Sequence, residues 1–200
     1  MWFSGDPMSY TLLGSQTSPF VRRIRLLMEN IPFEFKELNI FETEDAITLN
    51  KINPLNQIPV LLDNERPIWD SRQIFNYINI MHKLHNMTWE DENTLTAIEG
   101  AMNSGVALLL MKRSGLNTEE PYMYMNRQKE RIDSVIKHMT PYMKESGREE
   151  WNFITMSLYS FLDWARFREI IQPEKYPEVV SFLEAHASKA IVNKTAIPKV

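Results

Sequence analysis

Three hydroxyl residues lie in a short run where the chain first passes from a strand pattern to a helix pattern. Ser15, Thr17 and Ser18 precede Pro19 in the stretch GSQTSPFVRR. Serine followed by proline is typical of a helix N-cap and the first helical position. A hydroxyl at a helix N-terminus either caps the helix or, helped by the positive end of the helix dipole, stabilises an anion. The position of Ser18 therefore leaves two roles open, a structural cap and a ligand of a reactive group.

A second polar group opens another predicted helix. Asp70 and Ser71 stand directly before the apolar periodic stretch IFNYINIMHKL, and Gln73 occupies the position from which a capping box returns a hydrogen bond. The free amides of a helix start also attract anions. Asp70 and Ser71 are therefore candidates both for capping and for binding a carboxylate.

The elements that must position these residues alternate along the first 85 residues. Their hydrophobic periods and turn residues predict the order strand, helix, strand, helix, strand, strand, helix. The predicted segments are strand 9–14, a helix from Ser18–Pro19 to about Asn30, strand 33–40, helix 43–53 capped by Thr43, a hairpin within 58–70 and a helix after Asp70. Arg22, Arg23 and Arg25 are predicted on faces of the first helix away from its apolar residues.

After a polar segment at 85–93, the pattern becomes entirely helical. Apolar residues recur at steps of three or four from Leu95 to Leu109, which is typical of an amphipathic helix. Residues 152–167 are apolar on nearly every face, which predicts a buried central helix capped by Asn152. Residues 176–191 are predicted as one last helix with Pro177 near its start.

Composition excludes several classes of protein. The net charge is -4, with no basic excess to indicate a nucleic-acid partner. The absence of cysteine excludes disulfides, thiol nucleophiles and cysteine metal sites. The four histidines show no metal spacing, so we expect no metal site. No apolar run of about 18 residues predicts a membrane span, and the first ten residues lack a secretory pattern. We therefore expect a cytoplasmic protein that contacts neither nucleic acid nor membrane.

Taken together, TSPFVRR at the first helix, NPLNQIPVL at 53–61, WDS at the third helix and the all-helical second half resemble the soluble glutathione transferase family. Among its members the chain looks most like bacterial enzymes, with a Ser-Pro-Phe motif also seen in plant tau-class enzymes. The resemblance implies an α+β fold, with a thioredoxin-like domain at 8–84 and an all-helical domain at 91–200. It also implies that glutathione binds the first domain and that an electrophile binds in the cleft between the two.

The resemblance assigns Ser18 as the catalytic residue that stabilises the glutathione thiolate. Thr17 and Ser15, hydroxyls of the same loop, remain alternatives, and Tyr10 is disfavoured because it lies early in the strand. The structural alternative is that Ser18 is an ordinary N-cap.

The resemblance also assigns the residues that hold the rest of glutathione. Pro59 is expected to follow a cis peptide bond, which leaves the Ile58 backbone free to pair with the extended ligand. Ser71 is expected to bind the glutamyl carboxylate and Asp70 the glutamyl ammonium, while Gln57 donates to the glycine end. The structural alternatives are a proline that opens a strand and a helix cap at Asp70.

The electrophile pocket is assigned from the same resemblance to Met102, Asn103, Val106 and Trp164, each of which is alternatively a core residue. Glutathione is expected as a co-substrate, with no cofactor, and the chain is expected to form a homodimer through its third and fourth helices. The leading hypothesis is an enzyme that joins the glutathione thiolate to a small apolar electrophile. The alternative is a non-catalytic protein that keeps the fold for binding or regulation.

Overall fold

The computed structural model describes residues 9–198, and the chain divides into two compact units. The first unit extends to His85 and also includes the segment that begins at Thr195, whereas Asn86–Lys194 form the second unit. The predicted second domain ran to the end of the chain, but Thr195, which is almost fully buried, groups with the first unit. The predicted domain ends at residues 8 and 200 lie outside the described residues.

The elements of the first unit follow the predicted order. The strands are β1 (Tyr10–Gly14), β2 (Phe33–Glu37), β3 (Val60–Asp63) and β4 (Arg66–Trp69), and the helices are α1 (Pro19–Leu27), α2 (Thr43–Ile52) and α3 (Ser71–His82). The second unit is helical, with α4 (Trp89–Arg113), α5 (Met123–His138), α6 (Thr140–Lys144), α7 (Ser146–Glu149), α8 (Phe153–Phe167), a 3₁₀ turn (Pro173–Lys175), α9 (Pro177–His186) and α10 (Ala190–Lys194).

The four strands form one mixed sheet in the order β2-β1-β3-β4. β1 pairs with β2 in parallel, and β3 pairs antiparallel with both β1 and β4. At the centre Leu12 stands opposite Leu61, and both side chains are fully buried. The predicted α+β class is confirmed, with a thioredoxin-like first part and a helical second part.

Several predicted element limits differ from the structure, and β2 ends at Glu37 instead of at the predicted residue 40. α1 ends at Leu27, before the predicted Asn30, and α2 begins at Thr43 with Glu42 as an N-cap that makes no side-chain bond. The predicted last helix is two helices, because the chain leaves α9 through short-range turns. The Ala187 amide bonds to the Glu184 carbonyl, and the Lys189 amide bonds to the His186 carbonyl.

The predicted central helix is confirmed as α8, which is buried on nearly every face. Asn152 caps it, accepting a hydrogen bond from the Thr155 amide at 3.0 Å. The Tyr142 hydroxyl lies 2.6 Å from Thr155 Oγ1 and 3.2 Å from Asn152 Oδ1. Tyr142 thus completes the polar contacts at this cap, where threonine cannot return a carboxylate hydrogen bond.

Among the described residues, one helix, α4, is long enough and apolar enough to cross a membrane. The core helix of a water-soluble protein can have the same length and composition, so a single helix of this kind is weak support for a membrane span. α4 packs against α5 and α8 and buries Leu95, Ile98 and Met102. The expectation that the chain contacts no membrane stays a prediction.

Candidate functional site

The loop between β1 and α1 begins at a glycine that the packing requires. A Cβ on Gly14 would lie 2.5 Å from Val21 Cγ2 and 3.0 Å from Val21 Cγ1. Val21 is fully buried in α1, so it has no room to give way. The glycine therefore lets the first turn of α1 approach the end of β1 closely.

Hydrogen bonds from two directions hold this loop. The Ser18 amide bonds to the Ser15 carbonyl at 3.0 Å, which closes a turn. The Glu37 carboxylate, at the end of β2, accepts from the Gln16 amide at 2.9 Å. The hydroxyl oxygens of Ser15 and Thr17 lie 3.2 Å apart and hydrogen-bond to each other. The loop is thus a defined structure that presents Ser18 at the start of α1.

Ser18 is the N-cap of α1, as its position before Pro19 predicts. Its Oγ accepts a hydrogen bond from the Val21 amide at 3.3 Å, and the residue is half-buried. A serine hydroxyl that accepts one bond still has its own proton to donate. The cap geometry is therefore compatible with a second role, donation to an anion at the helix N-terminus.

Tyr10 is placed where it is a poor alternative. It begins β1, at the end of the strand opposite to Gly14, and its hydroxyl lies 3.2 Å from His82 Nε2. Burial, reinforced by the charge of Asp63, raises the pKa of the Tyr10 hydroxyl to about 12. Because this pKa is high and Tyr10 lies at the other end of β1, Tyr10 is a weaker candidate for the thiolate contact than the hydroxyls of the 15–18 loop.

A buried asparagine shapes the loop before β3. Asn53 Nδ2 donates to the Gln57 carbonyl at 2.8 Å, and Asn53 Oδ1 accepts from the Leu55 amide at 3.0 Å. The Ile58–Pro59 peptide bond is cis, the conformation that the resemblance implies. Ile58 is half-buried and the Gln57 side chain is exposed, so both residues are accessible to a ligand.

At the start of α3, the helix cap and a second polar contact are made by different residues. Asp70 is exposed and is the N-cap, with its Oδ1 accepting from the Arg72 amide at 2.8 Å and the Gln73 amide at 3.3 Å. Its backbone has φ 65° and ψ 130°, and a positive φ is uncommon for a residue other than glycine. Ser71, the first helical residue, is only 2% exposed, and its Oγ accepts from Arg23 Nη2 at 2.5 Å.

The sequence pattern predicts the arginines of α1 on faces away from its apolar residues, but those faces are largely covered in the structure. Arg22 and Arg23 are buried, and the half-buried Arg25 stacks on Phe35, with its Cζ 4.6 Å from the ring centroid. Long cationic side chains can bury their stems while their heads reach a polar partner, and for Arg23 that partner is Ser71. Arg23, together with Asn53 and Glu37, is a residue of the site that sequence reasoning missed.

The four residues predicted to line the electrophile pocket differ in exposure. Met102 is fully buried and Trp164 is 1% exposed, with its ring against Gly105. These two pack in the core of the second unit, which favours the alternative that they are core residues, and their assignment to the electrophile pocket stays a prediction. Asn103 is exposed and Val106 is half-buried, so these two are the more accessible candidates.

Comparison with known families supports the interpretation of the first unit. Residues 12–84 match the family model described as the glutathione S-transferase N-terminal domain. This range contains Ser18, the loop before Pro59, and the start of α3, so all three parts of the candidate site lie within the match.

Some relatives and solved structures extend the similarity over most of the chain. The chain is 26% identical to the uncharacterized GST-like protein YibF of Escherichia coli K12, covering 94% of this chain and 98% of that protein. It is 38% identical to glutathione S-transferase U7 of Arabidopsis thaliana over 42% of this chain and 34% of that protein. The glutathione-bound crystal structure of a glutathione S-transferase from Methylobacillus flagellatus has the same fold, with a TM-score of 0.81 and 19% identity over 94% of this chain and all of that one.

Proposed function

We propose that this chain, which belongs to the glutathione S-transferase family, binds glutathione on its first unit and joins its thiolate to small apolar electrophiles. The observation that carries the proposal is the Ser18 hydroxyl at the N-terminus of α1, inside the segment that matches the family model. The relatives' names and the bound glutathione in the similar structure support the same ligand.

The chemistry requires the thiol of glutathione to ionise near neutral pH. A free thiol has a pKa of about 8.5 and is only a few per cent thiolate at pH 7. Lowering that pKa by two units requires about 2.7 kcal/mol, since one unit is about 1.36 kcal/mol. A hydrogen bond to a charged group contributes about 1.5–3 kcal/mol, and the positive end of a helix about 0.5–1 kcal/mol. Donation from Ser18 at the start of α1 can therefore supply the shift without a general base.

The remaining contacts hold the tripeptide in place. The Ile58 backbone beside Pro59 pairs with the extended cysteinyl unit as an added strand does. The Ser71 amide has no acceptor within α3, because the first amides of a helix never do, and it binds the glutamyl carboxylate together with the Ser71 hydroxyl. Asp70 pairs with the glutamyl ammonium, and the exposed Gln57 donates to the glycine end.

In the reaction the thiol first loses its proton to water, and the thiolate sulfur then forms a bond to carbon. In a substitution the electron pair of the broken bond leaves with the displaced group, and in a conjugate addition the π electron pair moves into the conjugated system. In the second case the carbanion takes a proton from water. Holding the thiolate beside the electrophile removes much of the entropic cost of a bimolecular reaction. Asn103 and Val106 are the proposed electrophile contacts of the second unit.

The test is retention on glutathione resin followed by spectrophotometric turnover with a panel of electrophiles. We expect both retention and turnover, and we expect Ser18→Ala to lose turnover while remaining on the resin. Failure of the unmodified protein to bind glutathione would contradict the proposal. Binding without turnover across the panel would instead identify a non-catalytic binding protein.

We also propose a homodimer, supported by fewer exposed apolar residues than the sequence pattern predicts. Ile74, Phe75 and Ile78 of α3 are fully buried within the chain, so they are not surplus apolar surface. Ile80 of α3 and Leu110 of α4 remain exposed, and a two-fold interface would cover such surface. Light scattering should give about twice the single-chain mass of 23.6 kDa, and a single-chain mass would contradict the dimer.

A further inference from the structure

The side chain of Glu37 joins the end of β2 to the loop between β1 and α1. Glu37 stands beside Gly14 in the last step of the parallel pairing of the two strands, and the Leu38 amide bonds to the Gly14 carbonyl at 2.9 Å. The two carboxylate oxygens of Glu37 then accept from the Gln16 amide at 2.9 and 3.2 Å. The side chain thus extends the contact between the strands into the loop that carries Ser18.

Three consecutive amides of this loop each have an acceptor, and one of the three acceptors lies outside the loop. The Thr17 amide donates to Ser15 Oγ at 3.3 Å, and the Ser18 amide donates to the Ser15 carbonyl at 3.0 Å. The Gln16 amide donates instead to Glu37, which follows 21 residues later. The two internal bonds shape the loop but move with it. Of the three bonds, the one to Glu37 therefore holds the loop against the sheet.

The same strand also holds the other end of α1. Arg25, in the last turn of α1, stacks on Phe35 of β2 with its Cζ 4.6 Å from the ring centroid. Phe35 and Glu37 are two residues apart and therefore point to the same face of the strand. Burial lowers the pKa of Arg25, and the charge of Glu37 raises it, so the two side chains attract each other. β2 thus contacts α1 through Arg25 and the preceding loop through Glu37.

We infer that Glu37 is a positioning residue for the Ser18 hydroxyl, a role that rests on the proposed function. Gln16 lies two residues before Ser18, so the position of its amide constrains where the N-cap of α1 lies. A hydrogen bond weakens steeply when its distance or angle departs from the optimum, so a loosened loop would weaken donation to the thiolate. The role requires the acceptor atoms of Glu37 and not its charge, because a nearby negative charge opposes the ionisation of a thiol.

The test compares two substitutions at Glu37 in the full chain. Glu37→Leu removes the acceptor, whereas Glu37→Gln keeps a side-chain carbonyl and removes the charge. We expect Glu37→Leu to raise the pKa of the bound thiol by about half a unit and to lower kcat/KM at pH 6.5 about threefold, because only the thiolate reacts. Glutathione affinity should stay within about twofold. Glu37→Gln should keep the thiol pKa and kcat/KM close to those of the unmodified protein.

Two further measurements show whether the effect passes through the loop and Ser18. In a Ser18→Ala background, Glu37→Leu should shift the thiol pKa by less than about 0.2 unit, because the hydroxyl that it positions is absent. Amide hydrogen exchange, measured by nuclear magnetic resonance without glutathione, reports directly on the contact. The Gln16 amide should exchange faster in Glu37→Leu and change little in Glu37→Gln.

Glu34→Leu is the matched control on the same strand. Glu34 is exposed, and its Oε2 lies 3.5 Å from Lys36 Nζ. This substitution removes one carboxylate from β2 but leaves the bond to Gln16 in place. The thiol pKa, kcat/KM and the exchange of the Gln16 amide should therefore all be unchanged. If Glu37→Leu does not fold, as judged by near-ultraviolet circular dichroism, Glu37→Ala takes its place with the same expected results.

The outcomes separate the positioning role from the proposed function. If the unmodified protein binds glutathione and the variant without the acceptor keeps the original thiol pKa, Glu37 is a structural residue only and the inference is overturned. Equal shifts in Glu37→Leu and Glu37→Gln, or a shift that persists in Ser18→Ala, overturn it as well. If the unmodified protein does not bind glutathione, the proposed function itself is contradicted and the positioning role fails with it.

Discussion

Two of the three helices of the first unit, α1 and α3, carry a serine at the N-terminus, but the protein holds the two side chains differently. At α1, Ser18 is itself the N-cap, and its Oγ accepts from the Val21 amide at 3.3 Å. At α3, the N-cap is Asp70, and Ser71 follows as the first helical residue with its Oγ accepting from Arg23 at 2.5 Å. Ser18 therefore caps its own helix, whereas Ser71 leaves the capping of α3 to Asp70.

The difference indicates how each hydroxyl can serve an anion. Both oxygens accept one bond from the protein, so both hydroxyl protons remain for a ligand. A hydrogen bond from a charged donor is about twice as strong as a neutral one, so Ser71 is held more firmly than Ser18. We therefore expect changes at α1 to act on the chemistry of the sulfur and changes at α3 to act on affinity.

The largest effect should come from moving α1 relative to the strand. In Gly14→Ala the new Cβ would lie 2.5 Å from Val21 Cγ2, and such overpacking costs about 1–3 kcal/mol of unfolding free energy. The displaced α1 should also raise the pKa of the bound thiol, because Ser18 moves with it. Denaturant titration and ultraviolet titration of the thiolate measure the two effects.

Gly100→Ala is the control for this substitution. Gly100 lies within α4, and the nearest atom to an added Cβ is Arg131 Cδ at 3.7 Å, an ordinary contact. Alanine in a helix should be neutral or stabilising by up to about 1 kcal/mol. Equal stability losses at both glycines would show that the close approach of Val21 is not the cause.

The second effect concerns the hydroxyl at α1 alone. Ser18→Ala removes the donor to the thiolate, so the pKa of the bound thiol should rise by about one unit or more, with little change in glutathione affinity. Because only the thiolate reacts, the rate at pH 6 should fall about tenfold and the deficit should shrink as the pH rises above the new pKa. The pH profile of kcat/KM and an ultraviolet titration measure the shift.

Ser15→Ala and Thr17→Ala decide which hydroxyl contacts the sulfur. These two hydroxyls bond to each other, so their removal should leave the titration midpoint unchanged. A midpoint that shifts in either of them, and stays fixed in Ser18→Ala, would assign the thiolate contact to that residue.

Much of the first unit could be predicted because its signals are local. The order of strands and helices follows from hydrophobic periods and from the prolines and polar caps between them. The cap roles of Ser18 and Asp70 follow from single residue types at helix starts. Even there, Thr43 was one position away from the true N-cap, since propensity does not fix a boundary to one residue.

The parts that could not be predicted depend on contacts between distant residues. Helical periodicity assigns arginines to solvent, but Arg23 is buried because Ser71, 48 residues later, supplies a partner that no local pattern reveals. The same periodicity cannot distinguish a core residue from a pocket residue, and it did not reveal that Met102 and Trp164 are almost fully buried. The break between α9 and α10 depends on short-range turn bonds within an unbroken apolar pattern.

The third effect concerns the hydroxyl of Ser71 at the start of α3. Ser71→Ala removes the hydroxyl that accepts from Arg23 and that is proposed to bind the glutamyl carboxylate, so glutathione affinity should fall about tenfold, or about 1.4 kcal/mol, while the pKa of the bound thiol stays nearly fixed. Calorimetry and ultraviolet titration on the same sample check both statements. A shift in thiol pKa comparable to that of Ser18→Ala would remove the distinction between the two helix starts.

The smallest effect should come from a change at Asp70, the residue that caps α3. Asp70→Asn keeps a side-chain oxygen for the Arg72 and Gln73 amides, and asparagine also tolerates the positive φ of this position. Unfolding free energy should therefore change by less than about 0.5 kcal/mol.

The negative charge is lost, however, and an exposed pair with the glutamyl ammonium contributes about 0.2–1 kcal/mol. Glutathione affinity should fall by no more than about fivefold at low ionic strength, and the deficit should diminish in 1 M salt because exposed charges are screened. An affinity loss that is independent of salt would mean that Asp70 acts through the shape of the helix start, and capping and ligand binding would then not be separate at α3.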